Sequence, residues 1–387
     1  MTANTPANSG LGERSNGAIV QVSEYLEAGP VNRVALDLAA AIQRFGGDSK
    51  IVSGGGFMVA EAQRAGVDHE NIAISSVNPI GNPAGKIAGK LSDWDAQLVH
   101  SHGEDAAGLV LKAVGKHRVP HVVSLYDLPV QRNGKPTPGL QNALKGDRVL
   151  LASRFLENLL AEAGYLHDVR ASVVPPGLAV NALHPSVVTA ARLTRMVRDM
   201  EITAQSPVIL FPAALQDGAG HEVIIEALKP HLDQTWVCLF IGVGQAERRY
   251  HYRLSQKLEA EGLERRIKIY EGTEDPATLY KLTDIVISTV NGNLAFDYAC
   301  AESQAAGKIV LGANSGSTEF QIEPGVNGAL FDPGDAETLS MALSWAMSME
   351  PDKRAELENN AMLHAFKTYK RDETARQIFD IYDELLA

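Results

Sequence analysis

Two cysteines, Cys238 and Cys300, are all that 387 residues carry. They stand far apart in apolar surroundings. A disulfide-stapled scaffold is therefore excluded, and reduced buried thiols in a cytoplasmic protein are expected. Long hydrophobic runs are missing too: no stretch approaches the roughly 18–20 apolar residues that a membrane span needs. The opening MTANTPANSGLGERSNG has no hydrophobic signal core. It is polar and rich in Gly and Asn, and reads as a mobile tail over residues 1–17. Positive charge is in short supply. A net charge of −12 argues against a general nucleic-acid binder. The sequence shows no strong basic amphipathic helix, which leaves peripheral membrane contact open. Internal repeats and low-complexity blocks are absent beyond the tail.

What is present is an ordinary globular composition, with 45% hydrophobic residues in a chain long enough for two domains of about 150–200 residues. Short β-branched runs alternate with amphipathic ones. Strands are expected at 18–22, 49–53, 72–74, 97–100, 121–125 and 148–152, with helices between them. After a linker with a short helix, strands recur at 208–211, 236–241, 267–270, 285–288 and 309–311. This alternation implies doubly wound parallel sheets. Gly54-Gly55-Gly56 follows the second strand, but lacks the G-x-G-x-x-G pattern with a later acidic residue, and reads as a tight turn. His100 and His102 lie two apart at a strand end, followed by Glu104 and Asp105. Without further ligands at defined spacing this is a weak metal signal. A cleft-lining or structural role is expected instead, with Asp127 at the next strand end a further cleft candidate.

The most informative stretch runs from Leu294 to Phe320. Small and apolar residues from Phe296 to Ala306 fall at helical spacing, and Gly307 supplies a C-terminal stop. Ile309-Val310-Leu311 has the length of a buried parallel strand. Ser315, Gly316, Ser317 and Thr318 then read as the start of another helix, with Glu319 in its first turn. Free backbone N–H groups at such a start favour an anion. A carboxylate, Glu302, thus sits on one helix, with a candidate phosphate cradle one strand later.

These residues resemble the C-terminal signature of the retaining glycosyltransferases of family 4, which have the GT-B fold. That signature has Glu, then Phe-Gly, a second Glu eight positions after the first, Ala-x-Ala-x-Gly, a strand, and Gly-Gly-x-x-Glu. Phe296, Glu302, Ala305, Gly307, Gly316 and Glu319 fit it. Leu294 stands at the first Glu, Asp297 at the first Gly, and Ser315 at the first loop Gly. Ser153-Arg154-Phe155 and Val173-Val174-Pro175-Pro176-Gly177 also resemble the family, with Pro176 at the usual Asn. The resemblance covers nearly the whole chain after residue 17. It implies an α/β GT-B fold, two Rossmann-like domains facing across a cleft. An acceptor-side domain is expected at 18–180, a linker at 181–205, a nucleotide-sugar domain at 206–370, and a last helix, 371–387, crossing back to the first domain.

The resemblance also assigns roles. It implies retaining transfer from a nucleotide-diphosphate sugar to a glycan acceptor, with no metal or other cofactor. Glu302 would bind the ribose. Gly316, Ser317, Thr318 and Glu319 would form the phosphate turn, and Gly242, Gly244 and Gly29 would allow close approach of the nucleotide. Four family positions are altered: the Arg and Lys that clamp the leaving diphosphate fall on Ala214 and Ala219, the first Glu on Leu294, and a catalytic-region His on Tyr126. A charge-assisted hydrogen bond to phosphate contributes roughly 1.5–3 kcal/mol. Losing two costs about 3–6 kcal/mol, or on the order of 10²–10⁴ in rate if felt in the transition state. The sequence therefore supports two readings: a transferase relying on other cations, such as Arg33, Arg248 or Lys308, or an inactive homologue that binds or scaffolds a protein partner.

Overall fold

The computed structural model describes residues 17–27, 29–74, 81–115, 118–127, 136–202, 206–242, 248–289 and 294–387. The chain divides into two compact units. One runs to Leu178 and includes Arg371–Ala387; the other is Ala179–Lys370.

The first unit alternates β1 (Ile19–Val22), α1 (Pro30–Arg44), β2 (Ser49–Ser53), α2 (Val59–Arg64), β3 (Asp68–Asn71), α3 (Pro83–Asp93), β4 (Leu98–His102), α4 (Glu104–Val114), β5 (His121–Leu125), α5 (Leu140–Ala143), β6 (Arg148–Leu151), α6 (Arg154–Glu162) and β7 (Ala171–Val173). Its seven parallel strands are ordered β3-β2-β1-β4-β5-β6-β7. β1, β4 and β5 are buried along their whole length, as strands covered on both faces must be. The third strand lies at Asp68–Asn71, not at 72–74. It is a half-exposed edge, placed by its register against Lys50–Ser53 and not by apolar content. Ile72 and Ile74 follow it into the core. The edge strand β7 is only three residues long and escapes the sequence reading.

The second unit contains α7 (Val180–Leu183), α8 (Ala190–Asp199), β8 (Val208–Ala213), α9 (His221–Leu228), β9 (Val237–Gly242), α10 (Arg248–Ala260), β10 (Ile267–Tyr270), α11 (Pro276–Leu282), β11 (Ile285–Ser288), α12 (Tyr298–Ala305), β12 (Ile309–Ala313), α13 (Thr318–Gln321), β13 (Gly328–Phe331), α14 (Ala336–Met347) and α15 (Pro351–Thr368). Six parallel strands take the order β10-β9-β8-β11-β12-β13. Residues 181–205 were expected as a linker. Their described part belongs to this unit: Arg192 on α8 makes a two-pronged contact with Asp275, the N-cap of α11, at 3.0 and 2.5 Å.

Both sheets therefore have the Rossmann-type order, with the winding direction reversing between β1 and β4 and between β8 and β11. Parallel strands put every following loop at one edge. In such sheets ligands bind at the carboxyl edge, at the reversal.

The last helix, α16 (Arg371–Leu386), completes the first unit. Ala375, Ile378, Phe379 and Tyr382 pack with Ile19, Leu38, Leu98 and Val122. Arg371 pairs with the buried Asp37 of α1 at 2.7 Å, and Arg33 joins Asp37 to Glu61. Among the described residues, no helix is long and apolar enough to cross a membrane. Cys238 and Cys300 are free and buried.

Candidate functional site

At the reversal of the second sheet, β8 runs into the turn Ala214–Gly220 before α9. Gly218 and Gly220 have φ of 77° and 105°, a left-handed conformation that disfavours other residues. A Cβ on Gly220 would also collide with Thr289. The Thr289 hydroxyl donates to the Ala219 carbonyl at 2.6 Å, tying this turn to the end of β11. Ala214 and Ala219 are half-buried. Asp217, at the turn's exposed tip, is ion-paired with Arg253 of α10. The guanidinium of Arg253 also lies over the ring of Tyr250, 5.2 Å from its centre.

One strand further on, Asp297 caps α12 by accepting from the Cys300 N–H at 3.0 Å. It is fully buried, and burial pushes its pKa up. Its second oxygen accepts from Ser288 at 2.6 Å and Thr318 at 3.1 Å, while Gln321 bonds both its N–H and its carbonyl. A carboxylate where the family has glycine is thus the structural centre of this edge. Leu294, at the family's first Glu, leaves 43% of its surface exposed.

Glu302 is half-buried on α12 and accepts from the Tyr280 hydroxyl at 3.0 Å. Burial raises its pKa, with the Asp297 charge adding to the effect. Its other oxygen makes no hydrogen bond among the described residues. The turn expected to cradle phosphate is a tight one, with Gly316 at φ 62°. The helix after it is only one turn long, Thr318–Gln321, so the field expected from a helix end is small. Thr318 points inward to Asp297, Ser317 is fully buried, and Glu319 is exposed. Gly242 ends β9, where a Cβ would stand 3.1 Å from the Glu271 carbonyl; packing alone accounts for glycine there. Gly244 lies outside the described residues.

Of the alternative cations, Lys308 precedes β12, at the opposite edge of the sheet from the turns. Six residues, most of them in β12, separate it from Ser315, a span on the order of 20 Å. Arg33 is in the first unit and is committed to Asp37 and Glu61. Arg248 is exposed at the start of α10.

In the first unit, Gly29 caps α1 with extended backbone, and a Cβ there would only touch Asn32 at 3.5 Å. Asp127 is exposed at the end of β5. His100 and His102 do not line a surface: both are buried, their rings stacked 4.3 Å apart. Together with Gln21, Ser124, Tyr126 and Tyr382 they form a buried chain of hydrogen bonds. Tyr126 donates to His102 Nδ1 at 3.0 Å, and His102 Nε2 donates to Gln21 Oε1 at 2.9 Å. Gln21 donates to Tyr382 at 3.3 Å, and Tyr382 to His100 Nδ1 at 2.6 Å. His100 Nε2 then donates to Ser124 at 2.8 Å. The tautomers follow from Gln21, whose carbonyl can only accept. Every ring nitrogen is occupied. Among the described residues, no three His, Cys, Asp or Glu side chains gather to hold a metal ion.

Two family profiles match the chain in tandem: Glycosyltransferase Family 4 over residues 30–181, and Glycosyl transferases group 1 over residues 195–364. The chain belongs to the GT-B glycosyltransferases of group 1, family 4-like type. Solved structures agree with that fold. A glycosyltransferase from Rickettsia africae is 23% identical, with a TM-score of 0.88, over 96% of this chain and 99% of its own. Anabaena Alr3699/HepE, solved in complex with UDP, is 19% identical with a TM-score of 0.81, over 95% and 100%. The sucrose-phosphate synthase of Thermosynechococcus elongatus is 16% identical with a TM-score of 0.79, over 96% and 99%. Compared by sequence with curated proteins, the chain has no match.

Within this family member, sequence reasoning misses three features. Asp297 was readable as a helix cap, since an Asp directly precedes the helical run. Tyr280, the partner of Glu302, carries no local signal. Nor does Arg253, thirty-six residues from the Asp217 it meets.

Proposed function

We propose that the chain transfers a sugar, with retention, from a nucleotide-diphosphate donor to a glycan or glycoconjugate acceptor in the cytoplasm. The second unit takes the nucleotide, with Glu302 accepting from the ribose hydroxyls and the turns at Ala214–Gly220 and Ser315–Ser317 receiving the diphosphate. No resident metal or cofactor takes part in this reading; backbone N–H groups and side-chain cations meet the leaving charge. The observation that carries it is Glu302: a desolvated carboxylate with one oxygen fixed by Tyr280 and the other open. Desolvated, partly engaged carboxylates mark binding sites more often than inert surfaces. HepE, solved with UDP and with UDP-glucose, supports a nucleotide-sugar ligand for the shared fold.

Calorimetry against a panel of nucleotide sugars tests it. Binding of at least one is expected, weakened about tenfold or more by Glu302→Ala. If heat from a bound donor is unaltered in that variant, the ribose site is misplaced. Retention is read by NMR from the anomeric configuration of the product.

A second reading has its own support: Ala214, Ala219 and the exposed Leu294 stand where the family carries two cations and a carboxylate. On this reading the chain is an inactive homologue that binds a protein partner. Absence of binding to every nucleotide sugar favours it, and sugar transfer by the purified protein sinks it.

A further inference from the structure

We infer that Arg253 contacts the leaving diphosphate, and that Asp217 holds it in position until the donor binds. This rests on the nucleotide-sugar reading above. The turn after β8 sits at the reversal of the sheet and carries no cation of its own: it reads Ala214-Leu215-Gln216-Asp217-Gly218-Ala219-Gly220. Among the described residues, one cation is ion-paired to it from elsewhere. Arg253 extends from the second turn of α10 to the carboxylate of Asp217.

The arginine is oriented independently of that ion pair. Its guanidinium lies over Tyr250. Tyr250 is itself buried, with its hydroxyl bonded to Glu222 at 2.9 Å and His221 at 3.2 Å, both on α9. Arg253 therefore stands on a fixed aromatic face beside the turn. The pair with Asp217 is weak by construction, because side-chain exposure is 55% for Arg253 and 67% for Asp217. Exposed pairs of this kind contribute little. A diphosphate carries more charge than one carboxylate and offers the planar guanidinium paired oxygens, so it displaces Asp217 at small cost.

Several other cations of this unit are held away from the turn. Lys308 lies at the far edge of the sheet. Arg266 donates to the carbonyls of Gln234 and Leu232, Lys268 to those of Met200 and Glu201, and Arg192 to Asp275. Arg248 and Arg249 share α10 with Arg253 and, like it, are exposed; the first turn of that helix has no acidic residue to neutralise them.

The test measures UDP, GDP and ADP, each beside its nucleoside, by calorimetry and ligand-observed NMR on the full chain. Wild type is compared with Arg253→Ala, Arg253→Lys and Asp217→Asn. For the diphosphate that wild type binds, Arg253→Ala is expected to lose tenfold to a hundredfold in affinity, with its nucleoside unaffected. Arg253→Lys recovers part of the loss, and Asp217→Asn binds a few-fold tighter. If Arg253→Ala binds the diphosphate as wild type does, or loses nucleoside and diphosphate alike, the inference is wrong while the donor reading stands. If wild type binds none of the three diphosphates, both fall together.

Discussion

Acid should open the first unit before it opens anything else. His100, His102 and His121 are buried there and held neutral. Burial lowers the pKa of His102 to about 3 and of His121 to about 4, and puts His100 well below its usual value. The unfolded chain takes a proton on each near pH 6.5, whereas the folded unit refuses it. Stability is therefore lost as pH falls below about 6.5 and goes on falling until the folded values are reached. At pH 5 the cost is about 2 kcal/mol per histidine, set by the unfolded value and insensitive to how far below 4 the folded one lies. Three give about 6 kcal/mol, against a domain stability of roughly 5–15 kcal/mol. Among the described residues, no carboxylate bonds to His100 or His102; their partners are Gln21, Ser124, Tyr126 and Tyr382. Only His121 has one, Asp147, which accepts from its backbone N–H at 2.7 Å. The desolvated Asp37 and Glu104, whose pKa values are raised, offset part of the loss over their own window just above the usual carboxylate range. Hydrogen exchange read by mass spectrometry, corrected for intrinsic rates, should show β4 and β5 peptides losing protection by three to four decades between pH 7.5 and 5.0. A loss of less than about tenfold would refute the reasoning. Replacing His100 and His102 with residues that do not titrate should flatten the slope by about 2.7 kcal/mol per pH unit.

Other outcomes follow from single contacts. Tyr382→Phe leaves His100 Nδ1 and Gln21 Nε2 without partners, and should cost about 2–4 kcal/mol in urea unfolding. Asp297→Ala removes a helix cap and the shared partner of Ser288 and Thr318; a loss of about 2–4 kcal/mol in the second unit is expected, and one below 1 would show that the capping network is dispensable. Ala214→Arg with Ala219→Lys should raise nucleotide-diphosphate affinity tenfold or more by calorimetry; unchanged affinity counts against placing those positions at the diphosphate.

Much of the framework could be read along the chain, because its signals are local. Ile267–Tyr270, Pro276–Leu282, Ile285–Ser288 and Arg371–Leu386 fall where apolar periodicity and caps such as Asp275-Pro276 put them. The edge strands are set by pairing with a neighbour: β3 has no apolar residue and β7 is only three residues long. The candidate site was legible only where the family signature is linear, at Glu302 and Gly316. The histidines left a cleft-lining and a structural role both open, for a physical reason. A polar pair at a strand end usually faces solvent, but here Gln21 and Tyr382, 361 residues apart, satisfy it inside the core. Arg253 belongs to the same class: a lone basic residue on a helix says nothing of the turn it will meet.

The link that Tyr382 makes between Gln21 and His100 also has a consequence for biosynthesis. A ribosome delivers Gln21, His100 and Ser124 early, yet the hydroxyl of Tyr382 arrives only after the whole intervening unit has been made. Until then the nascent first half holds polar groups that cannot be buried without penalty, while the intervening unit, Ala179–Lys370, has all of its own strands in hand. Assembly from the middle outward is the order this connectivity favours. Ribosome-bound chains stalled short of residue 382 should protect the second sheet and leave the first one open.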